Sequence, residues 1–286
     1  MVGCLCSHRM ALLKSDFNYF GMKTLKILLL LLPAFGMFPF HADAGFEIIG
    51  SLTNKYSARK GEKYSAEIKI HNTGKEQQEV QIYQRDYLFN YKGDSFYNAP
   101  GSNQRSNAKW IQYGPKTLIL KGEETRNVHF EVTVPANDTL VGTYWSVLMV
   151  EGVTPPDPNA KGQLKIRTTV RYAVQIVTTI GQTGTGLLEF QHPVLSKKNN
   201  QSFFDVVLLN TGQRLISPKI SMEIFDVETG KSVKVIKIPR KNIYPTTSFQ
   251  CRFPLEGLPS SKNYQAVIVA DGSGDDVFGL EYTLKL

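Results

Sequence analysis

From Phe46 onward, apolar and polar residues alternate with a period of two. Tyr64, Ala66, Ile68 and Ile70 interleave with Ser65, Glu67, Lys69 and His71, and Val128, Phe130, Val132 and Val134 with His129, Glu131 and Thr133. Successive side chains of a strand point to opposite faces, so this pattern suits a sheet with one face buried and does not suit a helix. Turn formers separate the runs, among them Asn72-Thr73-Gly74, Lys92-Gly93-Asp94, Lys121-Gly122-Glu123 and Pro135-Ala136-Asn137-Asp138. No convincing amphipathic helical pattern follows residue 44. Many short strands with regular turns predict an all-β chain of antiparallel sandwiches.

The pattern repeats within the chain. Tyr64 to Ile70 followed by Asn72-Thr73-Gly74 is echoed by Phe203 to Leu209 followed by Asn210-Thr211-Gly212. The stretch from Gly142 to Gly152 is echoed by the stretch from Lys262 to Gly272. A duplication of about 120 residues, the size of an immunoglobulin-like domain with generous loops, follows. Residues 181–186, Gly-Gln-Thr-Gly-Thr-Gly, supply a linker. The expected division is a first domain over 45–182 and a second over 183–286.

Residues 1–44 have a different character. Met22-Lys23-Thr24-Leu25-Lys26 is a basic start, Ile27 to Phe40 an apolar run, and Ala42-Asp43-Ala44 a small-x-small cleavage site. This is the layout of a secretory signal peptide, with Met22 as the expected start and residues 1–21 an upstream extension. Pro33 and Pro39 interrupt the apolar run, which is too short to span a bilayer comfortably. The full chain carries 33 basic and 25 acidic residues. Loss of Arg9, Lys14, Lys23, Lys26, Asp16 and Asp43 reduces the net charge from +8 to +6 and leaves Cys251 as the single cysteine. An exported protein with one thiol has no internal disulfide and relies on packing. The mature chain is expected in the periplasm, or alternatively secreted or at the cell surface, with no integral membrane segment.

Residues 163–180 form the longest alternating run. Leu164, Ile166, Val170, Tyr172, Val174, Ile176 and Ile180 share one parity, and Lys165, Arg167, Arg171 and Gln175 the other. Ordinary strands are about 5–6 residues long. Two accounts fit: a long strand completing its own core, or a strand that overshoots its sheet and pairs with a partner by β-strand addition.

Four passages resemble the periplasmic pilus-assembly chaperones of the chaperone–usher pathway. Lys60-Gly61-Glu62 and the strand to Asn72-Thr73-Gly74 are similar to that family's first hairpin. The stretch from Pro115 to Glu123 is similar to its proline, apolar strand, turn and glutamate. Tyr144-Trp145 followed by Pro155-Pro156 resembles its aromatic-tryptophan strand, and residues 163–180 stand in the place of its donor strand. That donor strand normally runs into an aromatic-Arg-Pro segment, whereas this one continues Gln175-Ile176-Val177-Thr178. The chain resembles a distant member.

The resemblance implies two tandem immunoglobulin-like domains and a non-enzymatic role in holding exported β-rich subunits, pilins among them. Leu164, Ile166, Val170 and Tyr172 would be the client-binding residues. Lys55 and Arg171 would anchor the client's C-terminal carboxylate, Arg167 being the competing choice for the second cation. An outer-membrane usher is a further implied partner. The alternative is a structural or adhesive immunoglobulin-like surface module binding glycan or an envelope protein; Trp110-Ile111, Leu120 to Glu123 and Val134-Pro135 suit that reading.

No catalytic residues, cofactor or metal site is expected. His71, His129 and His192 lie far apart, no Gly-x-Ser-x-Gly elbow occurs, and phosphate loops are absent. Cys251 sits in an apolar strand and is expected to be a buried structural thiol. Residues 271–276, Asp-Gly-Ser-Gly-Asp-Asp, admit a calcium loop, although a hairpin turn suits them better. The positive charge is too scattered for a nucleic-acid groove.

Overall fold

The computed structural model describes residues 45–153, 169–259, 262–272 and 274–286, all within one compact unit, Ala44–Leu286. Among the described residues there are seventeen strands, one 3-10 turn at Ala108–Trp110, and no α-helix. The strands build two immunoglobulin-like β-sandwiches in sequence.

The first contains β1 (Glu47–Ile49), β2 (Thr53–Ala58), β3 (Lys63–His71), β4 (Gln78–Phe89), β5 (Ser95–Asn98), β6 (Ile111–Gly114), β7 (Thr117–Leu120), β8 (Thr125–Thr133), β9 (Gly142–Val153) and β10 (Arg171–Ile180). One sheet runs β1-β3-β8-β6 and the other β2-β10-β9-β4-β5, with β7 also on β4. The alternation read from sequence becomes the packing. Ile68, Ile70, Val128, Phe130 and Val132 from one sheet meet Val80, Ile82, Leu148, Val150, Val174 and Ile176 from the other. Each fully buried aliphatic side chain contributes about 1.5–3 kcal/mol of transfer free energy.

The second contains β11 (Leu188–Lys198), β12 (Gln201–Asn210), β13 (Lys219–Asp226), β14 (Ser232–Ile238), β15 (Ser248–Pro254), β16 (Asn263–Asp271) and β17 (Val277–Lys285). Its sheets run β11-β12-β15 and β14-β13-β16-β17, around a core that includes Phe204, Met222, Ile268, Phe253 and the buried Cys251. Burial pushes the Cys251 thiol up to about 12, so it is protonated and unreactive in the native state.

The Asn-Thr-Gly repeat has a physical cause that a hairpin does not describe. Both turns carry the chain from one sheet of a sandwich to the other, β3 to β4 and β12 to β13. Each begins with a buried asparagine whose side chain replaces a missing ladder. Asn72 Nδ2 donates to the carbonyls of Glu76 (2.7 Å) and Lys121 (2.9 Å), and its Oδ1 accepts from Gly74 N–H (3.0 Å). Asn210 Nδ2 donates to the carbonyls of Arg214 and Ile243, both at 2.8 Å, and its Oδ1 accepts from Gly212 N–H at 2.9 Å. A buried turn needs its backbone groups paired, and one amide with two donors and an acceptor meets that need twice.

Where β4 leaves its sheet to pair with β5, Asp86 is buried and organises the following loop. Its carboxylate accepts from the N–H groups of Gly101 (3.1 Å) and Asn103 (2.7 Å) and from the hydroxyl of Ser106 (2.5 Å). The chain then returns beside β9, where Arg105 O accepts from Trp145 N–H at 2.9 Å.

Candidate functional site

Strand β10 is antiparallel to β9 along its whole length and parallel to β2 only from Gln175 to Ile180. Val170 O accepts from Gly152 N–H on the β9 side, and Gln175 N–H donates to Leu52 O on the β2 side. The strand's period of two therefore turns the N–H and C=O groups of Arg171 and Ala173 toward the β2 side, where no described strand pairs with them. This is an open edge of about four residues. Beside it the chain switches sheets: β1 pairs with β3 in the facing sheet, and Gly50, at φ +104°, turns the chain toward β2. Ile49 and Leu52 flank this switch with 48% and 41% of their surface exposed.

The structure places the sequence-predicted residues unevenly. Leu164 and Ile166, like the competing Arg167, lie outside the described residues. Val170 and Tyr172 do not project as free side chains. Both are half-buried against the first core, the Tyr172 ring meeting Phe46 edge-on at 5.4 Å and its hydroxyl donating to Phe46 O at 3.3 Å. Their parity is that of Val174, Ile176 and Ile180, which are buried in that core. For residues 170–180 the run therefore completes its own sandwich, and only its backbone edge is open.

Lys55 and Arg171, expected as the two carboxylate-anchoring cations, stand apart in this structure. Lys55 stands opposite Val177, six residues along β10 from Arg171, or about 20 Å. Arg171 instead grips Glu151 on β9 through Nη2–Oε1 at 2.6 Å and Nε–Oε2 at 3.0 Å, while Tyr83 donates its hydroxyl to the same carboxylate. The hydrogen bond from Arg171 holds the Glu151 carboxyl below the usual range.

Lys55 occupies a cleft between the sandwiches. Its ammonium donates to Ser217 Oγ at 3.0 Å and Asn242 Oδ1 at 2.9 Å, both from the second sandwich. Arg240 and Lys241 line the same cavity of about 400 Å³, whose apolar wall is Tyr87, Phe89 and Tyr244. No Asp or Glu is among the residues lining it. Burial lowers the Lys55 pKa, and the nearby Arg240 charge lowers it further. Three cations face one another here without a counter-charge, and a carboxylate would relieve that repulsion while accepting from several donors. The other cations lining this cavity, Arg240 and Lys241, both come from the second sandwich.

An aromatic junction holds the cleft in shape. Trp145 of β9 is fully buried and stacks on Tyr244 with ring centroids 4.7 Å apart and planes at 29°. The indole Nε1 donates to Tyr87 O at 2.7 Å, and the Tyr244 hydroxyl donates to Gln175 Oε1 on β10. Val177 fills the space between, so the outward parity of β10, polar at Arg171, becomes apolar where the second sandwich covers it. Thr143 N–H donates to Gln213 O at 2.8 Å, and Leu215 N–H to Thr143 Oγ1 at 2.9 Å. Gly142 lies beside this contact at φ +74°, and a Cβ there would fall 2.1 Å from Gln213 O. Only glycine allows the two backbones to meet so closely.

Sequence reasoning missed Arg240, Lys241, Ile49 and Leu52. The first two follow a short strand in the second domain, with no local signal to aim them at a cleft built by the first. At the acidic run, β16 and β17 pair antiparallel with Asp271 opposite Val277, Gly272 N–H donates to Asp276 O at 2.8 Å, and the Asp276 carboxylate pairs with Arg214 at 2.8 Å. Among the described residues, no group of three His, Cys, Asp or Glu side chains is placed to hold a metal ion. No helix among them is long and apolar enough to cross a membrane.

No protein-family model matches the chain, and no curated protein matches it. Among solved structures it is similar to the class 5 fimbriae chaperone CfaA, with 15% identity over 83% of this chain and 98% of that one, at a TM-score of 0.45. It is similar to a chain of the chaperone–tip adhesin complex of CFA/I fimbriae biogenesis, with 14% identity over 83% of this chain and 97% of that one, at a TM-score of 0.45. A third likeness is to a chain of the Salmonella enterica SafA pilin in complex with the SafB chaperone, with 12% identity over 84% of this chain and 96% of that one, at a TM-score of 0.40.

Proposed function

We propose that this protein is a non-enzymatic, exported chaperone-like protein that holds β-rich subunits of the pilin type by adding one of their strands to the open edge of β10. The observation that carries the reading is the position of that edge relative to the cleft. A strand laid parallel to β10 along residues 171–174 ends where β2 begins, at Thr53 opposite Gln175. Thr53 and Lys55 both line the acid-free cavity. The last carboxylate of such a strand would meet Lys55, with Arg240 and Lys241 across the gap. Backbone groups of Arg171 and Ala173 supply the pairing, Ile49 and Leu52 the apolar contact, and the cations set the register. Leu164 and Ile166, outside the described residues, are the further client contacts in this scheme, with Val170 and Tyr172 shaping the base on which the client rests. Arg171 holds β10 to β9 in this scheme. The protein works in the periplasm, with the domain division at 182/183 falling between β10 and β11, and an outer-membrane usher receives the loaded complex.

The test uses the purified protein and a fluorescent peptide of alternating Ser and Leu, with either a free C-terminal carboxylate or an amide. The carboxylate form is expected to bind at least tenfold more tightly, because a partly desolvated charge pair is worth about 2 kcal/mol or more. Lys55→Met should abolish that difference. Ala173→Pro, which removes an outward N–H while leaving the β9 side intact, should weaken both forms. Equal binding of acid and amide would refute the anchor, and unchanged binding by Ala173→Pro would refute strand addition.

A further inference from the structure

The outward faces of the two sandwiches differ in chemistry. In the first, the outward positions of β3 and β8 are polar: Ser65, Glu67 and Lys69 stand opposite Glu131, His129 and Asn127. In the second, Met222 and Ile268 of the sheet β14-β13-β16-β17 point into the core, and the opposite parity carries apolar residues. Val233, Val235 and Val277 expose 47%, 54% and 56% of their surface, and Phe225, Val267 and Val269 are half-buried. The register makes these six contiguous. Val277 stands opposite Asp271, Val269 opposite Gly279, and Val267 follows two residues back along β16. Phe225, opposite Gln265, is diagonal to Val267, and Val235, opposite Glu223, is diagonal to Phe225. Diagonal neighbours lie about 7–8 Å apart, so the six form one oblique stripe across four strands. Lys237, opposite Ser221, stands on one side of the stripe, and Glu281, opposite Val267, on the other. Neither has an ion-pair partner among the described residues. Lys219 and Asp271 face each other at one end, and Glu223 interrupts the stripe between Val235 and Val267.

We propose that this face binds a second copy of the chain, forming a weak two-fold dimer. A two-fold axis laid along the stripe puts apolar residues on apolar residues, and face-to-face sheets about 10 Å apart leave a gap that these side chains fill from both sides. The same axis carries Lys237 across the stripe to the side of the partner's Glu281. A two-fold contact is self-complementary, so that ion pair forms twice. The face covers roughly 450 Å² on each copy, from four strands about 4.8 Å apart and about seven residues long. Stable complexes bury about 1,200–2,000 Å² in total, so a contact of about 900 Å² suits a reversible dimer. Glu223 acts in the same direction, because the axis brings it close to its own copy. The face shares no residue with the cleft or the β10 edge, so it is independent of the chaperone reading.

Sedimentation equilibrium of the purified protein from about 10 µM to about 1 mM tests the proposal, since a dissociation constant of about 100 µM is expected for a contact of this size. The average mass should rise toward that of two copies. Val235→Lys, at an exposed position, should abolish association and leave the circular dichroism spectrum unchanged. Lys237→Glu and Glu281→Lys each set like charges against one another at both contacts, so each variant alone should stay monomeric. Mixed in equal amounts, the two variants should associate as the original protein does, because the mixed dimer restores both ion pairs. Glu223→Gln removes the like charge beside the axis and should tighten association several-fold. A monomeric mass throughout the range, unchanged association of Val235→Lys, failure of the mixed variants to associate, or weaker association of Glu223→Gln would each overturn the dimer.

Discussion

Replacement of Trp145 by alanine probes how the two sandwiches are joined. The indole is fully buried in a small cluster with Val177 and Tyr244, separate from either main core. Removing a buried tryptophan side chain costs about 3–5 kcal/mol, and Tyr87 O also loses its indole donor. The informative quantity is the coupling to Tyr244. A stacked pair at 4.7 Å is worth about 0.5–1.5 kcal/mol beyond the area it buries. In a double-mutant cycle, Trp145→Ala with Tyr244→Ala should therefore be less destabilising than the sum of the single changes by about that amount. Urea unfolding followed by far-ultraviolet circular dichroism gives the three values, since Trp145 is one of two tryptophans and its loss compromises fluorescence. Both single variants should also convert one transition into two, because the sandwiches have their own cores and, among the described residues, meet through this junction, smaller contacts such as Tyr91 with His192, and hydrogen bonds such as Lys55 to Ser217. Additive effects within error, with a single transition retained in every variant, would show that the ring contact does not couple the domains.

Three further outcomes follow from particular contacts. Asp86→Ala leaves the N–H groups of Gly101 and Asn103 without their acceptor, and a loss of about 2–4 kcal/mol is expected by urea denaturation. Asp205 is held below the usual carboxylate range; burial opposes this, but hydrogen bonds from Arg252 and Ser196 outweigh it. A depressed carboxyl stabilises the fold above its unfolded value of about 3.9 and loses that contribution as pH falls through the lower folded value. The urea midpoint should thus decline below about pH 4, and Arg252→Met should reduce the size of that decline; an identical profile in the variant would remove Asp205 as a cause. Cys251 should resist a thiol reagent at pH 8 in the native protein and react fully in denaturant, so rapid native labelling would contradict its burial.

Much of the fold was legible because a sheet's periodicity is local. Tyr64 to Ile70 and Val128 to Val134 alternate because each strand covers one core, and Ile70 and Val128 are both fully buried. The Asn-Thr-Gly repeat was visible too, although its turns cross between sheets. The candidate site was less legible. Lys55 could be singled out, but its partners could not, since Arg240 and Lys241 reach it only through the docking of a second domain. Arg171 had the parity expected of an anchor, yet parity specifies a face and not a distance along the strand.

Residue order alone determined an all-β chain, a buried thiol at Cys251 and the face each strand turns inward, because alternation and turn chemistry act over a few residues. Tertiary structure decided which backbone edge stays open, which cations share a cleft, and that Trp145 belongs to the junction. Those outcomes depend on register between strands as far apart as β2 and β10, and on contacts such as Trp145 with Tyr244. Such contacts are set by the packing of two whole sandwiches, and no local pattern encodes them.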